Sequence, residues 1–226
     1  MSIETKYNPI LITGVERSGS TLVARILDMC GVWSGDCNKM FENKEIFGFK
    51  QFRSKTLFPH TARINIIKGW DQYIINKIKL QGWDNQSWML KNSKLAQFWP
   101  IWFDAFPDAK WLIIRRRTGD VVHSCMKTGY MKLFKNHYNL EVLGIENELE
   151  GWLWWVRQYE KKFIEMTKEG LNYKVIWPDR MVTGDYEQIK EVVNWLGLEW
   201  NEKIPDTIYP LLEKSRRLKN GKDECN

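Results

Sequence analysis

The chain has 226 residues, within the range of one large α/β domain, and we expect residues 1–226 to form a single domain. Its net charge of +6 favours anionic ligands, which leaves nucleic acid, nucleotide and acidic sugar open. No apolar run approaches the ~20 residues of a membrane span, and no secretory signal opens the chain, so we expect a soluble cytoplasmic protein. Its four cysteines and three histidines lack metal-ligand spacing, so we expect no metal site.

Short apolar runs alternate with amphipathic segments along the chain. Four runs are apolar on both sides, as expected of buried parallel strands, and they span residues 9–13, 87–90, 110–114 and 173–177. The clearest helical pattern runs from Leu149 to Met166, with apolar residues three and four apart. Another covers residues 189–196 and ends at Gly197, a residue type that often ends helices. Strands separated by helices predict an α/β fold with a central parallel sheet flanked by helices.

The loop after the first strand has almost the wording of a phosphate-binding P-loop, G-x-x-x-x-G-K-[ST]. Residues 12–21 are ITGVERSGST, with Ser20 where the lysine would stand and Arg17 three residues earlier. Gly14 and Gly19 allow tight turns, and the segment from Gly19 onward predicts a helix. Its first amide N–H groups would converge on one point with the hydroxyls of the helix start, so the loop predicts an anion site.

The missing lysine discriminates among phosphate ligands. In P-loop NTPases that lysine reaches the β- and γ-phosphates, and a carboxylate at another strand end helps to hold magnesium. Here the strand at residues 110–114 is followed by Arg115, Arg116 and Arg117 instead of an acid. The site therefore lacks groups that triphosphate chemistry needs. Asp179, just after the fourth apolar run, could act as such an acid and keeps a kinase interpretation open.

Two motifs resemble those of sulfotransferases that use 3′-phosphoadenosine 5′-phosphosulfate (PAPS). Residues 17–21, RSGST, are similar to the phosphosulfate loop [KR]-S-G-[TS]-[TS] of that family. Residues 116–124, RRTGDVVHS, resemble its second signature, an arginine after a strand joined to a serine eight residues on. The likeness runs in order over about residues 9 to 200. It implies a P-loop domain that takes PAPS as donor, releases adenosine 3′,5′-bisphosphate (PAP), uses no metal and binds the nucleotide through Arg17, Ser18, Gly19, Ser20, Thr21, Leu22, Arg116 and Ser124.

The same resemblance suggests residues for catalysis. MFENKEIF, residues 40–47, is similar to the F-E-[DN]-x-E segment of bacterial and phage-type members and places Glu42 at the position of the general base. WMLKNSKLAQFWP, from residue 88, is similar to the family segment that leads towards the arginine strand, and it places Lys91 near the transferred group. Arg17 is the third residue to which the resemblance gives a catalytic role. Glu45 is the reserve base, and the histidines His60, His123 and His137 are further alternatives.

The chain also departs from the family pattern. Glu16 replaces the proline or similar residue frequently seen before the basic residue of the loop, and Ser93 replaces the proline that follows Lys91 and Asn92. Thr118 and Gly119 replace the Pro-x of the arginine signature. A C-terminal R-K-G signature of the animal cytosolic branch is absent, and Arg216 and Arg217 are candidates to substitute for it.

The exchange of lysine for arginine suits sulfuryl transfer. A transferring sulfuryl group carries less negative charge than a γ-phosphoryl group, so an organic cation can replace magnesium at the bridging oxygen. We therefore predict in-line transfer from PAPS to an acceptor hydroxyl on a small molecule or glycan. The alternatives are a P-loop kinase and, because of the positive charge and thirteen tryptophans, a nucleic-acid-binding protein. Packing explains most of the tryptophans better than base stacking does, although Trp70, Trp99 and Trp102 are candidates to line a pocket.

Overall fold

A four-stranded parallel sheet forms the centre of the fold. The computed structural model describes residues 9–37, 40–47, 57–128 and 132–210. The strands are β1 (Ile10–Gly14), β2 (Met89–Lys91), β3 (Lys110–Ile114) and β4 (Tyr173–Ile176). They lie in the order β2-β1-β3-β4, and every neighbouring pair is parallel. The predicted α/β fold with a central parallel sheet is confirmed, and each strand lies within or beside one of the four predicted runs.

Helices cover both faces of this sheet. In the described part of the chain they are α1 (Ser20–Met29), α2 (Lys44–Phe47), α3 (Trp70–Leu80), α4 (Lys94–Gln97), α5 (Trp99–Ala105), α6 (Thr118–Thr128), α7 (His137–Leu143), α8 (Glu148–Lys168), α9 (Asp179–Val182) and α10 (Glu187–Leu196), with further helical residues at 204–210. The predicted apolar stripe became α8, and α10 ends at Gly197 with a φ of 77°, as expected of a left-handed helix end.

Alternate strand residues divide the core into two layers. Leu11 and Trp111 face a larger cluster that includes residues of α3, α5 and α8, whereas Ile12 and Leu112 face a second cluster with α1 and α10. This alternation follows from the two-residue period of a strand, whose successive side chains point to opposite faces. A sheet apolar on both sides must be covered on both sides, and the interleaved helices do so.

The tryptophans serve mainly to fill the larger cluster. All thirteen lie in described residues; eight are buried, and the other five are half-buried. Trp70, Trp99 and Trp102, which were candidates to line a pocket, are at most 6% exposed and pack inside this cluster. Trp102 stacks on Phe106 and meets Trp70 edge to face, so these rings contribute apolar burial and ring contacts.

Strand register brings the loops of interest to one edge of the sheet. Ile12 pairs with Lys91 on β2, and Gly14 pairs with Ile114 on β3. Since the strands are parallel, the chain leaves all of them at the same edge, where α1 and α6 begin. The segments after β1, β2 and β3, which carry most of the predicted site residues, therefore emerge side by side.

Close packing at Gly151 provides a test of the core. A Cβ atom at this position of α8 would lie 2.5 Å from Cδ1 of Phe134, whose ring also packs edge to face on Trp152. We expect Gly151→Ala to lower the free energy of unfolding, measured by urea denaturation, by about 1–3 kcal/mol through overpacking. Gly119→Ala on α6 is the control, because an added Cβ there meets no atom within 4 Å and should leave stability unchanged or raised. Equal stability of both variants would contradict this packing.

Candidate active site

The loop between β1 and α1 is a tight turn. The amide of Ser18 donates to the carbonyl of Val15 at 3.1 Å, and the amide of Leu22 donates to that of Gly19 at 3.0 Å. Arg17 and Gly19 both have left-handed backbones, with φ of 68° and 97°. This conformation is ordinary for glycine but rare for arginine, so the surrounding structure must hold Arg17 in it.

Gly14 and Ser18 pack against each other inside the loop. A Cβ atom on Gly14 would lie 2.6 Å from the hydroxyl of Ser18 and 2.6 Å from the carbonyl oxygen of Ile114. Ser18 is buried, and its hydroxyl has no hydrogen-bond partner among the described residues. Its side chain therefore faces the loop interior, and what the loop offers to an anion is its backbone N–H groups and the start of α1 at Ser20 and Thr21.

Arg17 connects the loop to the second predicted motif. Its Nε donates to the hydroxyl of Ser124 on α6 at 3.0 Å. Nη1 of Arg116, just after β3, donates to the carbonyl oxygen of Arg17 at 3.1 Å. Nε of Arg116 is buried, has no hydrogen-bond acceptor within the described part of the chain, and lies 3.6 Å from Oδ1 of Asp179. The structure thus brings Arg17, Arg116 and Ser124 into one cluster beside the start of α1.

The two neighbouring arginines have other partners. Arg115 forms an ion pair with Glu160 of α8 and lies over the ring of Trp177. Arg117 is mostly exposed and pairs with Asp120 at 3.1 Å. Of the three consecutive arginines, the middle one contacts the loop, in agreement with the alternation expected near a strand end.

Glu42 and Lys91 meet at the neighbouring end of β2. Lys91 Nζ donates to Oε1 of Glu42 at 3.3 Å and to the carbonyl oxygen of Met40 at 3.0 Å. Lys91 is only 5% exposed, whereas Glu42 is half-buried. Burial lowers the pKa of Lys91, and the charge of Glu42 opposes that shift. Two residues that are 49 positions apart in the chain are therefore joined as one ion pair.

The reserve base, Glu45, faces a different element. Its Oε2 accepts from Gln81, which directly follows α3, at 3.4 Å and lies 3.8 Å from Nζ of Lys77 in the last turn of α3. Asn43 starts α2 by accepting a hydrogen bond from the amide of Ile46. Glu42 therefore lies outside the helix start, with its carboxylate directed to Lys91 while that of Glu45 is directed to α3.

The other candidate residues lie in separate places. His60 accepts from the amide of Ala62 in a 3-10 turn, and His60, His123 and His137 are all exposed. Arg216 and Arg217 lie outside the described residues. Within the described ranges, no group of three or more His, Cys, Asp or Glu residues could hold a metal ion.

Sequence reasoning missed a polar network around Glu16. Oε1 accepts from the hydroxyl of Ser93 at 2.7 Å and from that of Tyr159 at 3.2 Å, and Oε2 accepts from Nε1 of Trp155 at 2.7 Å. Gln97 donates to the Tyr159 oxygen at 2.7 Å. Burial, followed by the charge of Glu16, raises the pKa of Tyr159 well above its usual value, so the phenol remains a donor. The available signal was that Glu16 and Ser93 both depart from the family pattern.

Comparison with known proteins identifies the family. A family model described as the sulfotransferase family matches residues 9–202. The chain belongs to the sulfotransferase family. The fold is similar to that of sulfotransferase STF9 from Mycobacterium avium, at 11% identity and a TM-score of 0.53 over 96% of this chain and 69% of that chain. It is also similar to a sulfotransferase from Alicyclobacillus acidocaldarius, at 15% identity and a TM-score of 0.51 over 94% of both chains. A comparison with curated proteins gives no match.

The predicted resemblance to sulfotransferases is therefore confirmed. Membership of the sulfotransferase family supports sulfotransferase activity for this chain, while the low identities to the solved structures establish the shared fold alone. Across the described ranges, every helix is too short or too polar to cross a bilayer.

The ion pair at β2 generates a testable prediction. Because the charge of Glu42 raises the pKa of Lys91, Glu42→Gln should lower that pKa further below its ordinary value of 10.5, as followed by NMR titration of the lysine ¹³Cε signals. The unfolded state binds more protons than the folded state between the two pKa values of Lys91, so the free energy of unfolding rises with pH in that interval. In the variant, this interval should extend to lower pH.

Glu45→Gln is the matched control, because it removes a carboxylate three residues away that contacts Lys77 and Gln81 instead. It should leave the pKa of Lys91 unchanged. If both variants moved the Lys91 titration equally, or neither did, the contact between Glu42 and Lys91 would not control that lysine.

Proposed function

We propose that this sulfotransferase moves a sulfuryl group from PAPS to an acceptor hydroxyl without magnesium. The observation that carries the proposal is the cluster of Arg17, Arg116 and Ser124 beside the N-terminus of α1. Two guanidinium groups, a hydroxyl and the helix N–H groups form one continuous anion-binding surface. A nucleotide with phosphate groups at both ends of its ribose needs two such positions close together.

The residues present fit that donor. Arg116 supplies a buried N–H group that no described residue accepts from, and Ser124 supplies a hydroxyl that accepts from Arg17. A 3′-phosphate is dianionic and suits this combination of guanidinium and hydroxyl. The 5′-phosphosulfate suits the loop, where Gly19, Ser20 and Thr21 open α1 and Arg17 adds a positive charge. PAPS supplies the activated sulfuryl group; PAP is the product that leaves.

Arg17 favours the reaction through the charge that develops on the leaving group. When the acceptor oxygen bonds to sulfur, the bond from sulfur to the 5′-phosphate oxygen breaks and negative charge collects on that phosphate. A cation and oriented N–H groups that bind this charge more strongly in the transition state than in the ground state accelerate transfer. Arg17 is already held by its backbone conformation and by Ser124, which would avoid reorganisation when the reaction begins.

Glu42 and Lys91 are assigned to the acceptor side. The acceptor hydroxyl must lose its proton as it attacks, and the carboxylate of Glu42 is the group proposed to take it. The Lys91 ammonium holds Oε1 of Glu42 and adds a buried positive charge, which would support the oxygens of the transferring group. Lys91 is fixed by β2 and by the Met40 carbonyl, so it orients the base as well as balancing its charge.

The position of Asp179 disfavours the kinase alternative. A kinase would need this carboxylate for magnesium, yet its Oδ1 lies 3.6 Å from the Arg116 guanidinium. The strand end that would carry a second acid carries arginines. A bound 3′-phosphate would share the Arg116 guanidinium with Asp179. A magnesium ion would instead have to compete with Arg116 for the carboxylate of Asp179.

Calorimetric titration with PAP in the presence of EDTA tests the donor. We expect PAP to bind without a divalent ion and ATP with magnesium to bind much more weakly. Incubation with PAPS and a panel of phenols and saccharides then tests transfer, with release of PAP as the readout. Magnesium-dependent turnover of ATP together with an absence of PAP binding would establish the kinase instead.

Arg116→Ala should discriminate between nucleotides. Loss of the guanidinium removes a charge-assisted contact worth about 1.5–3 kcal/mol, so PAP affinity should fall by roughly 10- to 150-fold. Adenosine 5′-monophosphate, which lacks the 3′-phosphate, should lose much less affinity, because for this nucleotide only the contact of Arg116 with the Arg17 carbonyl is lost. The control is Arg117→Ala, since Arg117 is mostly exposed and pairs with Asp120. Equal losses for both nucleotides would contradict the assignment of Arg116 to the 3′-phosphate.

Arg17→Ala should act mainly on the rate. We expect kcat to fall by about 10²- to 10³-fold, as when one charge-stabilising donor is removed, while calorimetry shows that much of the PAP affinity remains. Arg17→Lys keeps a positive charge and should recover part of the rate. Wild-type turnover in Arg17→Ala would remove Arg17 from the mechanism.

A further inference from the structure

Glu16 precedes Arg17 and is bonded to two elements outside the loop. Its carboxylate accepts from Trp155 and Tyr159, one turn apart on α8, and from Ser93 at the end of β2. Trp155 and Tyr159 are almost completely buried. These contacts lie 77, 139 and 143 positions away in the chain, so tertiary packing alone creates them.

The bonding of this carboxylate indicates an anchor more than a proton acceptor. Each oxygen accepts a short hydrogen bond at 2.7 Å, and Oε1 accepts a third at 3.2 Å. A carboxylate that would take a proton from an acceptor must turn an oxygen towards it, which would here break a bond to a buried donor. Glu42 is half-buried, and its Oε1 accepts from Nζ of Lys91 at the longer distance of 3.3 Å, so it is better suited to proton transfer.

Through its hydrogen bonds, Glu16 restrains the backbone of the next residue, Arg17. Arg17 has a φ of 68°, a conformation that non-glycine residues adopt only when their surroundings require it. The hydrogen bonds of Glu16 restrain the chain on the N-terminal side of Arg17. Arg116 donates to the carbonyl oxygen of Arg17 and restrains the chain on the C-terminal side. With the backbone fixed on both sides, the side chain is directed to Ser124 on α6.

The contact with Ser93 joins two segments at the ends of neighbouring strands. Ser93 lies two residues after β2, and its hydroxyl donates to Oε1 of Glu16 in the loop after β1 at 2.7 Å. A hydrogen bond between the two segments can restrict both of them at once.

We propose that Glu16 is a positioning residue that ties the loop to α8 and to residue 93 and thereby fixes the left-handed conformation of Arg17. The kinetic part of this inference rests on the proposed function, because it requires Arg17 to act on the leaving phosphate. The structural part, which concerns the effect of Glu16 on the backbone of Arg17, does not depend on that function. Glu16 acts through Arg17 and need not contact either substrate.

Kinetics of Glu16→Gln test the role. The amide oxygen can accept at one end of the side chain only, and the NH2 group at the other end must donate. Either the indole of Trp155 loses its acceptor or the hydroxyls of Ser93 and Tyr159 must turn to accept, and in both cases the charge-assisted bonds are lost, so we expect Arg17 to be displaced. We expect kcat to fall about 10- to 100-fold, the scale of a small misplacement of a catalytic group, with KM for PAPS changed less than about 3-fold. In an Arg17→Ala background, the same substitution should change kcat by less than about 2-fold, since no guanidinium remains to be positioned.

Glu160→Gln is the matched control. It removes a carboxylate of α8 that pairs with Arg115, next to Arg116, without touching the loop, and kcat should remain at the wild-type level. Trp155→Phe removes the indole donor and keeps an aromatic ring. It should reproduce part of the loss of kcat alone and add less than its single effect to Glu16→Gln, because both changes act on the same hydrogen-bond network.

A crystal structure of Glu16→Ala separates this inference from the proposed function. If the wild type neither binds PAP nor transfers a sulfuryl group, the proposed function fails, and the structure still decides the anchor. Loss of the positive φ at Arg17 or of its contact with Ser124 would support positioning. Retention of both would overturn it, as would an equal loss of kcat from Glu16→Gln in the wild-type and Arg17→Ala backgrounds. Should Glu16→Ala fail to fold, Ser93→Ala and Trp155→Phe provide milder versions for the same comparison.

Discussion

The site depends on Arg17 being held in a left-handed backbone conformation between elements from distant parts of the chain. Its side chain reaches Ser124 on α6, its carbonyl receives Arg116 from the end of β3, and the residue before it is bonded to α8. None of these contacts is local. They exist because parallel strands end at one edge of the sheet, which delivers the loop after β1 and the arginine after β3 to the same place.

Charges at this edge occur close to opposite charges. Arg116 faces Asp179, and Lys91 faces Glu42, an arrangement that offsets the cost of removing each charge from water. Cys125, buried on α6 near Glu16, Arg17 and Arg116, has its pKa raised to about 12 by burial, so its thiol stays neutral between the site and the core. Anionic substrate groups would therefore enter a site whose cations are already positioned.

Sequence patterns predicted the parts of the fold that local periodicity controls. The two-sided apolar runs became β1 to β4, the apolar stripe from Leu149 became α8, and Gly197 ended α10. For the candidate site, the resemblance to the second sulfotransferase signature predicted Arg116 and Ser124, which the structure places in contact with Arg17. The network of Glu16 was not predictable in this way, since Ser93, Trp155 and Tyr159 are unrelated to it in sequence spacing. Trp155 and Tyr159 belonged to an apolar stripe, and the indole N–H and phenol O–H that Glu16 binds are invisible to a pattern of hydrophobicity.

The sequence by itself determined how strands and helices alternate along the chain, the burial of the sheet on both faces and the motifs of an anion-binding loop. Side-chain periodicity and short spacings express these features directly. Only the tertiary structure decided which carboxylate meets which cation. Glu42 was joined to Lys91 and Glu45 to Lys77, and Asp179 was placed beside Arg116. The physical reason is that hydrogen bonds and ion pairs act over a few ångströms, and the distances between residues far apart in the chain are set by how helices pack on the sheet.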